Sequence, residues 1–388
     1  MKNTEFATTL RGIAALCVII SHYFGLFWVN QAAVSELIRS PAVDGLWLPS
    51  YLMWLHPHPL FNWGAFGVAL FFLVSGFVIP YSLERSSRLQ FIIGRIFRIM
   101  PVYAAGFSIT IISIFVSVKY FDAQWPFTAK QVFIHYIPGI RDILNSVNID
   151  GIVWTLETEM KFYFICLLGV SALQRRSLAF FVIPFAVALI SFLLIHNVSK
   201  VYENGNYSAY WLMMALIDSA PYLVFMFIGS VFHYAYNNYI NAERSIFLVA
   251  SLFVLHLVIM WSGPFSSRLI SSPNYGLAIL IFAFAMSFPN LFRSSKIGDF
   301  FARISYPLYA IHGIAGYVML RILLDWHVPA WACLIIVTGS AIVSAWVIHF
   351  AIEKPGIKIG KIIAKRFKPR GPSTPVFKDS DKVPLPAE

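Results

Sequence analysis

The sequence predicts an all-α integral membrane protein of about ten transmembrane helices with both termini in the cytoplasm. Of its 388 residues, 59% are hydrophobic and only 12% are charged, which is about half the charged share of a soluble domain. The mean hydropathy of +0.71 is positive. Apolar runs long enough to cross about 30 Å of hydrocarbon recur along the chain. These observations exclude a soluble globular protein.

The predicted spans are runs of mainly apolar residues that end at charged residues or at Pro and Gly clusters. The first run is too long for the core of a cleaved signal peptide, so we expect it to be a permanent span. The least regular run is the eighth. In chain order, the predicted spans are residues 8–29, 64–83, 101–119, 152–173, 178–196, 210–236, 245–262, 273–290, 300–322 and 328–351.

The distribution of Lys and Arg predicts the orientation of these spans. With the N-terminus inside, the loops on that side carry more Lys and Arg than the opposite loops, even before the basic C-terminal segment is counted. Both termini are then cytoplasmic. The net charge of +11 then describes the cytoplasmic surface, and attraction to anionic membrane lipids explains it without a nucleic-acid partner.

The chain is expected to divide into a multi-span domain, residues 1–355, and a basic, partly disordered cytoplasmic tail, residues 356–388. Residues 358–370 alternate Ile and Phe with Lys and Arg, which is typical of a short interfacial helix. The remainder is rich in Pro, Ser, Asp and Lys and is expected to be disordered.

The first span holds two ionisable residues, Arg11 and His22, within one apolar run. Such residues are costly in hydrocarbon and usually serve a function. In a helix they are roughly 16 Å apart along the axis, so one lies near a membrane face and the other near mid-depth. An imidazole can take a hydroxyl proton near neutral pH, which makes His22 our candidate general base. The alternative is a core histidine that hydrogen-bonds to a neighbour.

The fourth span contains Glu157 and Lys161, four residues apart with the acid first. This order favours an ion pair within one helix. Glu157 is therefore either half of a self-neutralising pair or a catalytic residue close to the outer face. Glu159 points to another side of the helix, and we do not select it.

The ninth span carries Ser305, Tyr309 and His312 at spacings of four and three residues, so that they share one helix face. His312 lies roughly 14 Å in from Arg303, a depth similar to that of His22. Two histidines at one depth predict one site. The alternative is that these residues only pack and hydrogen-bond between helices. At the end of the tenth span, Glu353 is expected to form a salt bridge.

The three cysteines lie within apolar segments and have neither disulfide nor metal-ligand spacing, so we expect them to pack in the core and expect no metal site.

Six segments occur in a characteristic order from residue 10 to residue 355. They are LRGIAALCVIISHYF, GAFGVALFFLVSGFVI, RIFRIMP, WTLETEMKFYF, ISYPLYAIHG and IEKP. This ordered set resembles the membrane-bound acyltransferase family 3. Members of that family move acyl groups, often acetyl from acetyl-CoA, onto sugars or other acceptors at or beyond the membrane. The chain shows no additional esterase-like domain, and we expect the stand-alone form.

The resemblance implies roles for particular residues. It implies that Arg11 and His22 are the paired essential residues of the first helix. It implies that Arg95 and Arg98 are the basic pair before the third, where forked guanidinium groups suit the phosphates of coenzyme A. Arg85 and Arg88 remain ordinary positive-inside charge. The resemblance also assigns the acidic position of the fourth helix and the motif of the ninth, namely Glu157, Ser305, Tyr306 and His312.

Together these arguments predict an O-acetyltransferase of the cytoplasmic (inner) membrane that modifies polysaccharide. Acyl-CoA is the donor substrate, bound at Arg95 and Arg98, and no cofactor is held permanently. The acceptor is a glycan or lipid-linked sugar, with His22 as base and His312 or Tyr309 at the developing oxyanion. Direct transfer and a covalent acyl-histidine both fit. The rival prediction is a transporter or flippase for a glycan or a proton-coupled solute, because intramembrane charges also mark translocation paths.

Overall fold

The structure is a computed structural model that describes residues 4–43, 45, 47–55, 61–293 and 295–367. In this part of the chain all regular structure is helical and no strand occurs. The predicted all-α class is confirmed.

The helices are numbered α1 to α14 in chain order. Two short 3₁₀ helices, Ser50–Leu55 and Pro289–Phe292, lie in connecting segments. The numbered helices are α1 Glu5–Val29, α2 Gln31–Ile38, α3 Trp63–Glu84, α4 Arg88–Tyr120, α5 Ala129–His135, α6 Val153–Leu168, α7 Val170–Gln174, α8 Leu178–Glu203, α9 Tyr207–Tyr236, α10 Ala242–Ser262, α11 Ser266–Ser287, α12 Lys296–Ile311, α13 Ile314–Asp325 and α14 Ala330–Arg366.

Among the described residues, eight helices are long and apolar enough to cross a membrane, and the bent pair α12 and α13 makes a ninth if it is one span. The predicted span 152–173 differs, because Gly169 divides it into α6 and α7. The 16 residues of α6 cover roughly 24 Å, less than the hydrocarbon core. All ten predicted segments are thus helical, and eight or nine have the length of a span. The orientation of the termini stays a prediction.

The centre of the protein is formed by α1, α3, α9 and α12, with α1 packed between α3 and α12. Glycines let these helices approach closely. A Cβ atom at Gly76 would lie 1.9 Å from the carbonyl oxygen of Met226, and one at Gly229 would lie 2.3 Å from that of Leu73. The small residues of α3 therefore serve close helix packing. The three cysteines are buried and free, as predicted.

Two helices depart from regular α geometry near histidines. A π-helical segment, Ile20–Leu26, interrupts α1 at His22. The predicted ninth span is wrong as a continuous helix, because it bends by 73° between α12 and α13, at His312 and Gly313. Hydropathy does not detect such breaks, since the residues on both sides are equally apolar. π segments and broken helices frequently mark functional sites.

The C-terminal part of α14 packs on α4. A Cβ atom at Gly356 would lie 2.7 Å from the carbonyl oxygen of Phe97, and Gln90 donates a 3.2 Å hydrogen bond to the carbonyl of Ala364. The predicted interfacial helix is therefore helical as far as Arg366 and continuous with the last span. The predicted domain boundary at residue 355 falls within α14. The stretch expected to be disordered, residues 368–388, lies outside the described residues.

Candidate active site

The structure brings His22 and His312 together. Their ring centroids are 4.7 Å apart and the rings are perpendicular, at 89°. His312 is fully buried at the break between α12 and α13. His22 is half-buried in the π segment of α1. Packing of α1 on α12 thus joins two imidazoles that are 290 residues apart in the chain.

The tautomer of His312 follows from its hydrogen bonds. Its Nδ1 donates to the carbonyl oxygen of Tyr309 at 2.7 Å and to that of Leu308 at 3.2 Å. Nδ1 therefore carries the proton, and Nε2 presents a lone pair. Nε2 is buried without a hydrogen-bond partner among the described residues. A neutral His312 can accept a proton at Nε2 but cannot donate one there.

His22 has a partner that the sequence analysis missed. Its Nδ1 lies 2.5 Å from the hydroxyl of Tyr317, and the two rings are stacked with centroids 5.7 Å apart. Tyr317 is buried on α13, beyond the break. Periodicity along the ninth span cannot predict this contact, because the bend changes the direction of the helix between His312 and Tyr317.

Two cavities share the side chains of Val68, Ile152 and Tyr309. His22 lines the second of them, whereas His312 lines neither and has its ring centroid 5.4 Å from that of Tyr309. We call the first, of about 90 Å³, the Arg11 cavity. We call the second, of about 440 Å³, the His22 cavity. Residues that line the Arg11 cavity include Arg11, Ser75, Glu159, Ser305 and Tyr306. Residues that line the His22 cavity include His22, Arg141, Asn148, Trp154, Asp218, Tyr222, Arg268 and Tyr275.

The Arg11 cavity contains an acid that the sequence analysis rejected. Glu159 accepts a 2.6 Å hydrogen bond from Ser75, and its charge acts on Arg11. Glu157 and Glu159 are two positions apart and so point in nearly opposite directions from α6. Glu159 does point to another side of α6 than Glu157, as expected, and the packing of α6 makes that side line the Arg11 cavity.

Glu157 faces the segment that connects α5 to α6. Both of its oxygens accept hydrogen bonds from Arg141, at 2.8 and 2.5 Å. Burial opposes the positive charge of Arg141, but Glu157, Asp142 and Asp150 together outweigh this effect and raise the pKa of Arg141. Glu157 lines neither cavity. It is linked to the His22 cavity only through its hydrogen bonds to Arg141, which lines that cavity.

The ion pair between Glu157 and Lys161, one of the two alternatives for Glu157, does not form. Lys161 pairs instead with Asp142 and donates a 2.7 Å hydrogen bond to Ser219. The segment after α5 supplies a nearer carboxylate to Lys161 and an arginine to Glu157. A contact between neighbouring turns is weak compared with such tertiary partners.

The predicted basic pair lies close to the Arg11 cavity but outside its lining. Arg95 donates a 2.7 Å hydrogen bond to Ser82 and lies 5.1 and 5.3 Å from the ring centres of Phe91 and Tyr163. The charges of Arg95 and Arg98 both act on Arg11. The three guanidinium groups thus form one positive region at this end of the site.

The predicted residues of α12 have different surroundings. Ser305 donates its hydroxyl proton to the carbonyl of Ala302, at 2.8 Å. Tyr306 donates to the carbonyl of Ile99 on α4, at 3.0 Å. Tyr309 shares a 2.7 Å hydrogen bond with Thr155 and lines both cavities. Of the three, Tyr309 alone lies at the junction beside the histidine pair.

Glu353, inside α14, shares a 2.6 Å hydrogen bond with His349. This pair is buried within the second π segment, His349–Glu353. The partner of Glu353 thus lies one turn earlier on the same helix, and the expected salt bridge stays a prediction.

A buried network holds the segment between α4 and α6. The backbone N–H of Ile149 donates to Nε2 of His135 at 3.0 Å, so Nδ1 carries the proton and donates to the Tyr103 hydroxyl at 2.8 Å. Tyr103 donates to Asp150 at 3.2 Å. Burial, with the nearby charge of Arg141, lowers the pKa of His135 to about 3. Burial also raises the pKa of Asp150. This network fixes the segment that carries Arg141 to the His22 cavity.

The fold and this site define a multi-pass helical membrane protein with paired imidazoles next to Tyr309, a residue that lines two cavities. A family model described as an acyltransferase domain matches residues 5–350. The chain belongs to acyltransferase family 3, as its motifs predicted, and is a membrane acyltransferase. No curated protein and no solved structure was found to match it.

Proposed function

We propose that the protein is an O-acetyltransferase of the cytoplasmic membrane. It transfers the acetyl group of acetyl-CoA, bound from the cytoplasmic side, to a hydroxyl group of an extracytoplasmic or lipid-linked glycan. The observation that carries the proposal is the meeting of the two cavities at Tyr309, next to His22 and His312. Each cavity can admit one substrate, and the shared wall is where they react.

The donor binds at the Arg11 end. Arg11, Arg95 and Arg98 form a positive region there, and guanidinium groups are well suited to the diphosphate and 3′-phosphate of coenzyme A. The Arg11 cavity is narrow and lined in part by apolar side chains such as Val68, Phe71 and Phe72. Such a passage suits the uncharged pantetheine arm, which would bring the thioester toward Tyr309.

His22 acts as the general base in the transfer. If Nδ1 donates its proton to Tyr317, then Nε2 holds the lone pair that takes the acceptor hydroxyl proton. The acceptor oxygen attacks the thioester carbonyl carbon, and the C–S bond of the tetrahedral intermediate then breaks. The protonated His22 returns the proton to the departing thiolate, so that free coenzyme A leaves.

The oxyanion of the tetrahedral intermediate is stabilised by Tyr309. Thr155 donates its hydroxyl proton to the carbonyl of Ile152 at 3.0 Å, so Tyr309 donates its phenolic proton to Thr155 in their 2.7 Å contact. In the proposed reaction that phenolic proton turns from Thr155 to the oxyanion. His312 does not suit this role while neutral, because its Nδ1 proton is used by backbone carbonyls. Its Nε2 lone pair instead provides a second proton acceptor beside His22.

The test of the base is acetyl transfer by purified protein in detergent, followed by release of free thiol from acetyl-CoA. His22→Ala should abolish transfer and leave expression unchanged. His196→Ala is the matched control, since it removes an exposed imidazole from α8. Retained turnover in His22→Ala would remove His22 as the base. A carrier would move its substrate without releasing thiol, so the same assay tests the transporter alternative.

The test of the donor site is acetyl-CoA affinity. The double variant Arg95→Ala, Arg98→Ala should bind acetyl-CoA more weakly, with the greater effect at low ionic strength, where charge contacts are least screened. The matched control is Arg85→Ala with Arg88→Ala, which removes two arginines from the same side of the protein. If the double variant Arg95→Ala, Arg98→Ala bound acetyl-CoA as tightly as the wild type, these two arginines would serve only to orient the protein in the membrane.

The acceptor can be identified by mass spectrometry of envelope glycans from cells with and without the gene. An acetyl group lost from one glycan, and restored by the wild-type gene but not by His22→Ala, is the expected result.

A further inference from the structure

We propose that the His22 cavity binds an uncharged sugar ring, recognised by Trp154 as a stacking surface and by Arg141, Asp218 and Arg268 as hydrogen-bonding groups. This inference rests on the proposed acetyl transfer. It adds the chemical class of the acceptor and the residues that select it.

The walls of the cavity combine aromatic rings with a few polar groups. The rings of Trp154 and Tyr222 have centroids 5.2 Å apart and are tilted by 50°, and Tyr275 lies 6.1 Å from Tyr222. Trp154 lines the cavity and is only partly buried, so an aromatic ring is available to pack against the C–H face of a pyranose. Tyr222 and Tyr275 are 5% and 3% exposed and complete the aromatic wall. The volume of about 440 Å³ lies within the range of about 300–1,000 Å³ that is typical of small-molecule sites.

The polar groups are held in place and retain hydrogen-bonding capacity. Arg268 pairs with Asp218 and also bonds to the hydroxyl of Tyr222. Arg141 uses three of its contacts on Glu157 and on the carbonyl of Ser146. A guanidinium has five N–H donors, so further donors remain for a ligand. Fixed donors beside fixed carboxylates are suited to the hydroxyl groups of a sugar, which both donate and accept.

The charges of the cavity are balanced, and this argues for a neutral ligand. Arg141 is neutralised by Glu157, which is 1% exposed, and Arg268 is neutralised by Asp218. A phosphate or carboxylate that took Arg141 would leave the buried Glu157 without its partner, a strongly unfavourable state. A neutral sugar can bind without breaking either pair.

Asp218 and Arg268 lie at an exposed part of the cavity lining, as Asn148 does. The side chains of Asp218 and Arg268 are 31% and 41% exposed, respectively. His22 lines the same cavity, so a sugar bound there can contact both this pair and the proposed base. The pair is therefore positioned to select the acceptor and does not reach the thioester.

The test uses two variants that change the cavity charge in opposite directions. Asp218→Asn leaves Arg268 unbalanced, and Arg268→Gln leaves Asp218 unbalanced. The probes are three methyl α-D-glycosides, namely the neutral glucoside, the acidic glucuronide and the basic glucosaminide, with acetyl-CoA as the donor. Asp325→Asn is the control, since it removes the acid of an Arg–Asp pair that lies outside the lining of the cavity.

The wild-type protein should acetylate the neutral glucoside best. In each cavity variant, KM for the glucoside should rise about tenfold, as expected for one lost hydrogen bond to a charged group. Asp218→Asn should shift the preference toward the glucuronide, and Arg268→Gln toward the glucosaminide. KM for acetyl-CoA should stay unchanged in both variants, which also shows that they fold.

Wild-type preference for the glucuronide, or unchanged acceptor preference in both variants, would overturn this inference. So would consumption of acetyl-CoA by the wild type without transfer to any of the three glycosides. In these cases the proposed acetyl transfer stands. Absence of thiol release from acetyl-CoA under every condition would contradict the proposed function itself.

Discussion

The hydroxyl of Tyr317 provides a direct test of how His22 is oriented. Tyr317→Phe removes the 2.5 Å contact to Nδ1 of His22 and keeps the buried aromatic ring. A hydrogen bond to a group that becomes charged in the reaction contributes about 1.5–3 kcal/mol. Since about 1.4 kcal/mol is a factor of ten, we expect kcat to fall by about 10- to 100-fold.

The assay is steady-state acetyl transfer in detergent, with kcat and KM for acetyl-CoA measured separately. Tyr317 lines neither cavity, so its loss should leave KM nearly unchanged. The matched control is Tyr234→Phe, which removes another buried hydroxyl, one that bonds to the carbonyl of Ser177. A Tyr317→Phe variant with wild-type kcat, or equal losses in both variants, would refute the idea that Tyr317 positions the base.

Three further predictions concern stability and the second histidine. Gly316→Ala places a methyl group 2.2 Å from the ring of Tyr23 and should lower the free energy of unfolding by about 1–3 kcal/mol. The control is Gly339→Ala, whose added methyl group would have no atom within 4 Å and should not destabilise the protein in the same thermal scan. The pKa of His135 is lowered from its ordinary value of 6.5 to about 3, so its contribution to stability is full above pH 6.5 and is lost progressively toward pH 3. The unfolding temperature of His135→Gln should therefore vary less between pH 7 and pH 4 than that of the wild type. An equal change in unfolding temperature with pH in both proteins would contradict this. His312→Asn can still donate a hydrogen bond to the backbone carbonyls but lacks the Nε2 lone pair. It should therefore unfold at close to the wild-type temperature and have at least tenfold lower kcat. A wild-type kcat in this variant would show that Nε2 takes no part in the reaction.

The sequence was sufficient to predict the helices and the central pair of histidines. Apolar runs predict spans because lipid requires internally satisfied backbone groups. The depths of His22 and His312 follow from counting residues along regular helices. What could not be predicted depends on tertiary packing: the rotation of α6 that turns Glu159 inward, and the segment after α5 that brings Arg141 to Glu157. Tyr317 was also beyond reach, because the break before it has no hydropathy signal.

The irregular backbone and the chemistry of the site have a common cause. A broken helix within a membrane leaves carbonyl groups without their usual donors, which is tolerated only where protein supplies replacements. At the end of α12 the Nδ1 of His312 supplies one to the carbonyl of Tyr309, whereas the carbonyl of Leu308 also keeps its usual backbone donor, the N–H of His312. The same bond fixes the tautomer, so that the Nε2 lone pair necessarily points away from the helix, on the ring that lies against His22. The break therefore does not merely make room for the imidazole. It holds the ring in the one protonation state in which a buried, neutral histidine can accept a proton beside a second base.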